Sequence, residues 1–289
     1  MTYQIVTDSA CNLPEEIIDK FGLEVLSLTF YMDDNEYISY LKGQHTDIKQ
    51  FYTMMRGGKV IKTSLPHLST MEKTFRSILD KGKNILYLGF SSALSGTYEA
   101  AVIILNQLKT EYPDRTILFL NTFAASAGEG LLVCLCAEKA QKGERIQEVY
   151  DFALATRDHV CHWLTVDDLK YLVRGGRIPK TAGIAGQMLD IKPIIHVNEE
   201  GALIPVEKVR GRKKSIKTLV KHMKESAIEP ENQTVFITHG DCMEDVTALK
   251  NMIKEELGVK HFVVNYIDPV IGAHSGPGTV ALFFIGTKK

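Results

Sequence analysis

The sequence predicts an α/β protein of two domains, with a mainly parallel sheet in the first and a mixed sheet in the second. Short apolar β-type runs alternate with segments of helical period over most of the chain, the mark of strand–helix–strand units. A hairpin-like pair of runs around Asn198-Glu199-Glu200-Gly201 appears only in the second half, as expected of a mixed sheet. The 289 residues, 45% hydrophobic and 24% charged, suffice for two ordinary cores and exclude a disordered or collagen-like chain. No Pro/Gly/Ser-rich linker interrupts them, so the boundary between 1–160 and 161–289 is expected inside a tight connection near Val160.

In chain order, Tyr3–Asp8, Glu24–Tyr31, Ile85–Phe90 and Ile117–Asn121 read as strands. Between them, Pro14–Phe21 reads as a helix capped by Asn12, and Asp47–Met55 as a helix stopped by Gly57-Gly58. Thr97–Tyr112 carries Ala101, Ile104, Leu105 and Leu108 on one core-facing stripe. Further on, Pro193–Val197 and Ala202–Val209 form the hairpin, and Ile216, Leu219, Val220 and Met223 recur at helical spacing. Strand Thr234–Thr238, helix Met243–Leu257, strand His261–Ile267 and strand Thr279–Ile285 complete the chain.

Charge excludes some classes of function. Lys plus Arg number 34 against 35 Asp plus Glu, a formal charge of -1, which supplies no overall field for nucleic acid or an anionic membrane. The dense basic run Lys208–Lys217 lacks aromatic interleaving and reads as a solvated helix start or a protein docking surface. Five scattered cysteines and a start that reads as a strand, not a secretory signal, are what a reducing cytoplasm leads one to expect. The longest apolar runs, such as Val280–Ile285, are strand-sized, so a soluble chain is expected.

Several short segments could carry chemistry. Gly89–Thr97 joins a buried strand to a long helix, the place where open α/β sheets bind ligands. Its serines, with the free N–H groups of the helix start, suit a carboxylate or phosphate, and Ser92 and Ser95 are best placed. Lys62-Thr63-Ser64-Leu65-Pro66 offers hydroxyls on a loop, with Ser69 or Thr70 as a cap for the next helix. In Lys170–Lys180, Arg174 and Arg177 flank a double glycine and could offer planar forks to a phosphate or a partner's carboxylate. Gly272–Gly278 reads as a glycine-rich loop presenting His274. The Gly-x-Ser-x-Gly elbow is missing, since Ala93 stands where it needs glycine; this weighs against an esterase with Ser95 as nucleophile and His274 or His239, near Asp241, as base. Cys134-x-Cys136 and His159–His162 read as core residues rather than metal ligands.

Taken together, Ile5-Val-Thr-Asp8-Ser9 with Leu13-Pro14, Lys62–Pro66, Ser91–Thr97, Leu169–Ile178, Lys192-Pro-Ile194 and Gly276-Pro-Gly278 resemble, in order and spacing, the DegV family over about residues 3–287. The resemblance implies a two-domain α/β protein that holds one long-chain fatty acid in a buried tunnel between its domains. It also implies a non-enzymatic role, with no cofactor and no metal, as the subunit that presents the carboxylate to a separate ATP-binding fatty acid kinase subunit for acyl-phosphate formation and phospholipid synthesis. Carried over position by position, Thr63 and Ser95 are expected to hold the carboxylate, supported by Ser64, Ser92 and Gly96, with His274 close to the headgroup. Arg174 or Arg177 is expected to face the kinase. No nucleic acid and no stable membrane insertion are implied, although transient membrane contact fits. Cys11 departs from the small polar residue or alanine more usual at its position.

Overall fold

The computed structural model describes residues 2–44, 46–180 and 190–289, and three sheets organise them. Strands β1 (Tyr3–Asp8), β2 (Glu24–Leu26), β6 (Asn84–Gly89) and β7 (Ile117–Asn121) pair in the order β2-β1-β6-β7, all parallel. In β6, Ile85, Leu86, Tyr87 and Leu88 are all fully buried, because helices cover both faces. Helices α3 (Leu68–Asp80) and α4 (Thr97–Glu111) pack on the Ile85 and Tyr87 side, and α1 (Glu15–Phe21) and α5 (Ala127–Gln141) on the Leu86 and Leu88 side.

A six-stranded sheet forms from β8 (Val160–Thr165), β9 (Ile191–Val197), β10 (Leu203–Arg210), β11 (Thr234–His239), β12 (His261–Tyr266) and β13 (Val280–Ile285). Its order is β10-β9-β8-β13-β11-β12, and only β11 and β12 run parallel, which makes it the mixed sheet expected. Helices α8 (Arg212–Ser226) and α9 (Met243–Leu257) cover one face through Ile216, Leu219, Val246 and Leu249. The other face, including Leu164, Ile195, Ala281 and Phe283, joins the core around α5. Helix α5 therefore lies between two sheets, and eleven of its fifteen residues are buried, as an all-round apolar helix requires.

A third, antiparallel sheet of β3 (Thr29–Met32), β4 (Asn35–Ile38) and β5 (Lys62–Ser64), order β4-β3-β5, stands with α2 (Ile48–Arg56). Phe30 packs edge-on against Phe51 at 5.9 Å between centroids, and Phe51 against Tyr52 at 5.1 Å. Tyr52 Oη donates to the Ile267 carbonyl at 2.9 Å, which fastens α2 to the C-terminal half. Helices α6 (Ile146–Thr156), α7 (Lys170–Arg174) and α10 (Pro269–Ser275) complete the set used below.

Five local expectations are corrected. The run Glu24–Tyr31 is two strands in two different sheets, β2 and β3. Asn12 does not cap α1, whose N-cap is Pro14; it closes a short 3-10 turn with φ 49°, in the left-handed region that asparagine tolerates. Thr63 and Ser64 lie on β5, held by pairing to β3, and not on a loop. Ser69 and Thr70 fall inside the first turn of α3, whose N-cap is His67. His274 sits on α10, a short helix started by Pro269 with Asp268 as its cap, where the glycines had suggested a loop.

Candidate functional site

A cavity of about 310 Å³ lies between the six-stranded sheet, α10, β5 and the loop that follows β6. That volume falls at the lower end of the ~300–1,000 Å³ of small-molecule sites. Most of its wall is apolar, including Phe90 and Leu94 from the N-terminal half and Leu164, Val197, Ala281 and Phe283 from the face of the mixed sheet. On one strand of that sheet His162 and Leu164 point the same way, two residues apart, and Ala281 and Phe283 repeat the pattern opposite them.

The polar part of the wall gathers residues from three separate elements. Thr63 from β5, Ser95 and Gly96 from the start of α4, and His274 from α10 all line it, together with Ser64 and Arg177. Thr63 Oγ1 and His274 Nε2 are 2.7 Å apart. Ser95 Oγ lies 2.9 Å from Thr97 Oγ1 and accepts from the Thr97 N–H at 3.3 Å. Helix α4 has no side-chain cap beyond this, as Gly96 occupies its N-cap. Ser64 and Gly96 are exposed, so the polar part reaches the surface, whereas Phe90, Leu94, Leu164, Val197, Ala281 and Phe283 of the apolar part are buried.

The electrostatics favour an anion at this end. Burial, and after it the charges of Arg177 and Arg174, push His274 down to about 4 from its ordinary 6.5, so the imidazole is neutral at pH 7. Arg177 is half-buried; its Nε donates to the Leu94 carbonyl at 3.0 Å and its Nη1 to the Gly175 carbonyl at 2.6 Å. Desolvation lowers its pKa, and among the described residues it forms no ion pair. Gly175 is required here, since a Cβ on it would overlap the His274 ring.

Not every expected residue reaches the cavity. Ser92 faces away from it, its Oγ accepting from Asn121 Nδ2 at 2.6 Å. Arg174 is exposed and lies over the Tyr171 ring at 5.2 Å, outside the wall, whereas Arg177, grouped with it on sequence, is inside. The esterase arrangement is not assembled. His274 meets Thr63 rather than Ser95, the Nδ1 of His239 accepts from the Cys242 N–H at 3.3 Å, and Asp241 pairs with Arg56 at 2.5 Å. Within the basic run, Arg212 turns inward to Asp245 at 2.9 Å and so leaves the exposed cations Lys208, Arg210, Lys213, Lys214 and Lys217. Among the described residues there is no cluster of three metal-ligating side chains, and no helix is long and apolar enough to cross a membrane.

His162, read from the sequence as a core residue, also lines the site, as do Ser126, Ser275 and Thr279, which the sequence did not single out. His162 is fully buried, with Nδ1 2.8 Å from the Val160 carbonyl and Nε2 accepting from the Ala125 N–H at 3.3 Å. Burial holds its pKa well below the ordinary value, so it is a neutral, fixed part of the wall. At the far end of α10 lies a second polar cluster. The Asp268 carboxylate accepts from Asn12 Nδ2 at 2.9 Å, from the Ser39 hydroxyl and from the Ile271 N–H at 3.0 Å. Ser126 Oγ in turn donates to Asn12 Oδ1 at 2.9 Å and lies 2.9 Å from Thr238 Oγ1.

Comparison with known proteins agrees with this architecture. The DegV family model matches residues 2–287. A DegV domain-containing protein of Clostridium perfringens is 40% identical over 287 residues, 99% of this chain and 98% of that protein. Among solved structures, a DegV lipid-binding protein of Thermotoga maritima superposes with a TM-score of 0.85 at 28% identity, covering 100% of both chains. A fatty-acid-binding DegV family protein of Streptococcus agalactiae gives 0.85 at 28% identity, again over 100% of both. One from Thermus thermophilus, solved as a study of fatty acid binding, gives 0.86 at 25% identity over 99% of this chain and 100% of that one. With its parallel and mixed sheets and its matched length, the chain belongs to the DegV family.

Proposed function

We propose that this protein binds one long-chain fatty acid, with the acyl chain in the apolar part of the cavity and the carboxylate at Thr63, Ser95, Gly96 and His274, and presents that carboxylate to a separate ATP-dependent fatty acid kinase subunit. The observation that carries the reading is a mostly apolar cavity with a polar mouth made of hydroxyls, a helix start and a guanidinium that has no carboxylate partner among the described residues. A half-buried guanidinium without a counter-ion is costly, and a carboxylate supplies the missing charge. An acyl chain supplies affinity: about a dozen buried methylenes are worth on the order of 10 kcal/mol before association costs.

Division of labour follows from exposure. Because Ser64 and Gly96 lie at the surface, one carboxylate oxygen can stay open to a phosphoryl donor brought by the partner, while the other is held by the hydroxyls. Arg177, inside the wall, is suited to the headgroup; Arg174, outside it, is suited to the kinase surface. In this role the protein itself is not an enzyme and works in a reducing cytoplasm, where its five cysteines persist as thiols. Native mass spectrometry of the purified protein, with extraction and identification of the released molecule, tests the reading. A stoichiometric long-chain fatty acid is expected. An empty protein that cleaves acyl esters, with activity lost in Ser95→Ala, would overturn it.

A further inference from the structure

The segment Ser91–Thr97 carries three serines ahead of α4, and each is used differently. Ser95 lines the cavity mouth, whereas the Ser92 hydroxyl accepts from Asn121 Nδ2. Ser91 lies outside the cavity wall and is fully buried, and its Oγ donates across the molecule to the Gly201 carbonyl at 2.9 Å. Gly201 belongs to the turn between β9 and β10, the hairpin whose Val197 and Leu203 line the same cavity. The mouth loop is thus latched to the other half of the chain.

Every polar group of Ser91 holds this loop. Its N–H donates to the Ala124 carbonyl at 3.0 Å, and its own carbonyl accepts from the Leu94 N–H at 3.0 Å and the Ser95 N–H at 3.1 Å. A shift of Ser91 therefore carries Ser95 with it. Gly201 has φ 81°, in the left-handed region, and a Cβ on it would come within 2.2 Å of Ser91 Oγ, so glycine is what lets the two segments approach this closely. The start of the loop has its own anchor, since the Phe90 N–H donates to the buried Asp8 carboxylate at 3.0 Å. Loss of the Ser91 hydroxyl loosens the part that carries Ser95 and leaves that start fixed.

Resting on the fatty-acid reading above, we infer that Ser91 is a positioning residue: through its bond to the Gly201 carbonyl it sets where Ser95 offers its hydroxyl to the carboxylate, without touching the ligand itself. A binding group is only as well placed as the residues that support it. An acyl chain makes no comparable demand on geometry, because apolar burial is non-directional. The signature of a lost latch is therefore a loss confined to the headgroup. The test is the ratio of the Kd of dodecanol to that of laurate, which varies the head and keeps the chain, in the wild type, Ser91→Ala, Ser91→Cys, Ser95→Ala and Ser91→Ala combined with Ser95→Ala.

In Ser91→Ala, laurate affinity is expected to fall about tenfold, the upper end of what one neutral hydrogen bond supplies, while dodecanol affinity stays within about twofold of the wild type. Ser91→Cys, with a weaker donor of similar size, falls between the two and keeps the ratio measurable if the alanine variant does not fold. Once Ser95 is alanine, removing the Ser91 hydroxyl as well should cost laurate no more than about a further twofold, because the group it positions is gone. Laurate and dodecanol weakened alike would make Ser91 merely structural and overturn the proposal. An unchanged ratio, or the full loss repeated in the Ser95→Ala background, would overturn it too. In each of these outcomes the wild type still binds laurate and the fatty-acid reading stands; a wild type that binds no laurate would overturn both.

Discussion

Helix α10 has a polar cluster at each end, and the two are built on opposite rules. At its start, Asp268, Asn12, Ser39, Ser126 and Thr238 satisfy one another, and they bring residues from both halves of the chain into a single network. At its end, His274, Arg177 and Ser95 line a cavity, and Arg177 has no carboxylate partner among the described residues. A polar group that is fully paired inside the protein fastens structure; one left short of partners beside a cavity is available to a ligand. The same short helix thus ties the two halves together at one end and frames the mouth of the cavity at the other.

Asp268→Ala is the largest way to break this contrast. It removes the cap of α10, leaves the Ser39 hydroxyl and the Ile271 N–H without an acceptor, and leaves the Asn12 amide with the Ser9 carbonyl alone. A lost cap together with stranded donors costs about 2–4 kcal/mol, read as a lower midpoint in urea unfolding. Asp268→Asn, which keeps an acceptor oxygen, should recover part of the loss. Equal stability of all three proteins would show that the cluster does not fasten the halves.

At the other end the effect should fall on ligand rather than on fold. Thr63→Ala and Ser95→Ala each remove a hydroxyl offered to a charged carboxylate, worth ~1.5–3 kcal/mol, so fatty-acid affinity should drop about 30-fold. Affinity for the matching fatty alcohol should change far less, and kinase-coupled turnover should fall further than affinity does. Unchanged turnover in both variants would remove these residues from the headgroup site. A urea midpoint lowered as far as in Asp268→Ala would mean that this cluster, too, is mainly structural.

The sequence made some of this legible and hid the rest for identifiable reasons. Strands such as β6 and β13 are continuous apolar runs, and α9 shows its stripe of Val246, Leu249 and Ile253, so periodicity alone finds them. Thr63, Ser95 and His274 were found as motif residues, but their approach to one another depends on three elements that meet only in the fold. The β2–β3 break was hidden because Glu24–Tyr31 is uninterrupted by glycine or proline, although it changes sheet after Leu26. Arg174 and Arg177 look alike in sequence because only two glycines separate them; Gly175 and Gly176 end the helix and turn Arg177 inward. His162 is legible as a core residue but not as part of a cavity wall, since which face of a strand meets a cavity is a property of packing, not of spacing.

The finest test of the contrast is pH. In the free protein, burial and then Arg177 and Arg174 hold His274 at about 4, below its unfolded 6.5. The unfolded chain therefore takes up this proton first as pH falls. His274 thus contributes stability that is present above about 6.5 and lost as pH drops through about 4. A carboxylate bound beside the ring reverses the field and favours the imidazolium, so binding should draw in a proton. If the complex restores the ordinary value of about 6.5, laurate affinity should rise about tenfold from pH 7.5 to pH 5.5. In His274→Gln, which keeps a hydrogen-bonding group but no titration in this range, the profile should be flat. A flat profile in the wild type would mean that the carboxylate does not lie against His274, and would move the headgroup toward Arg177 alone.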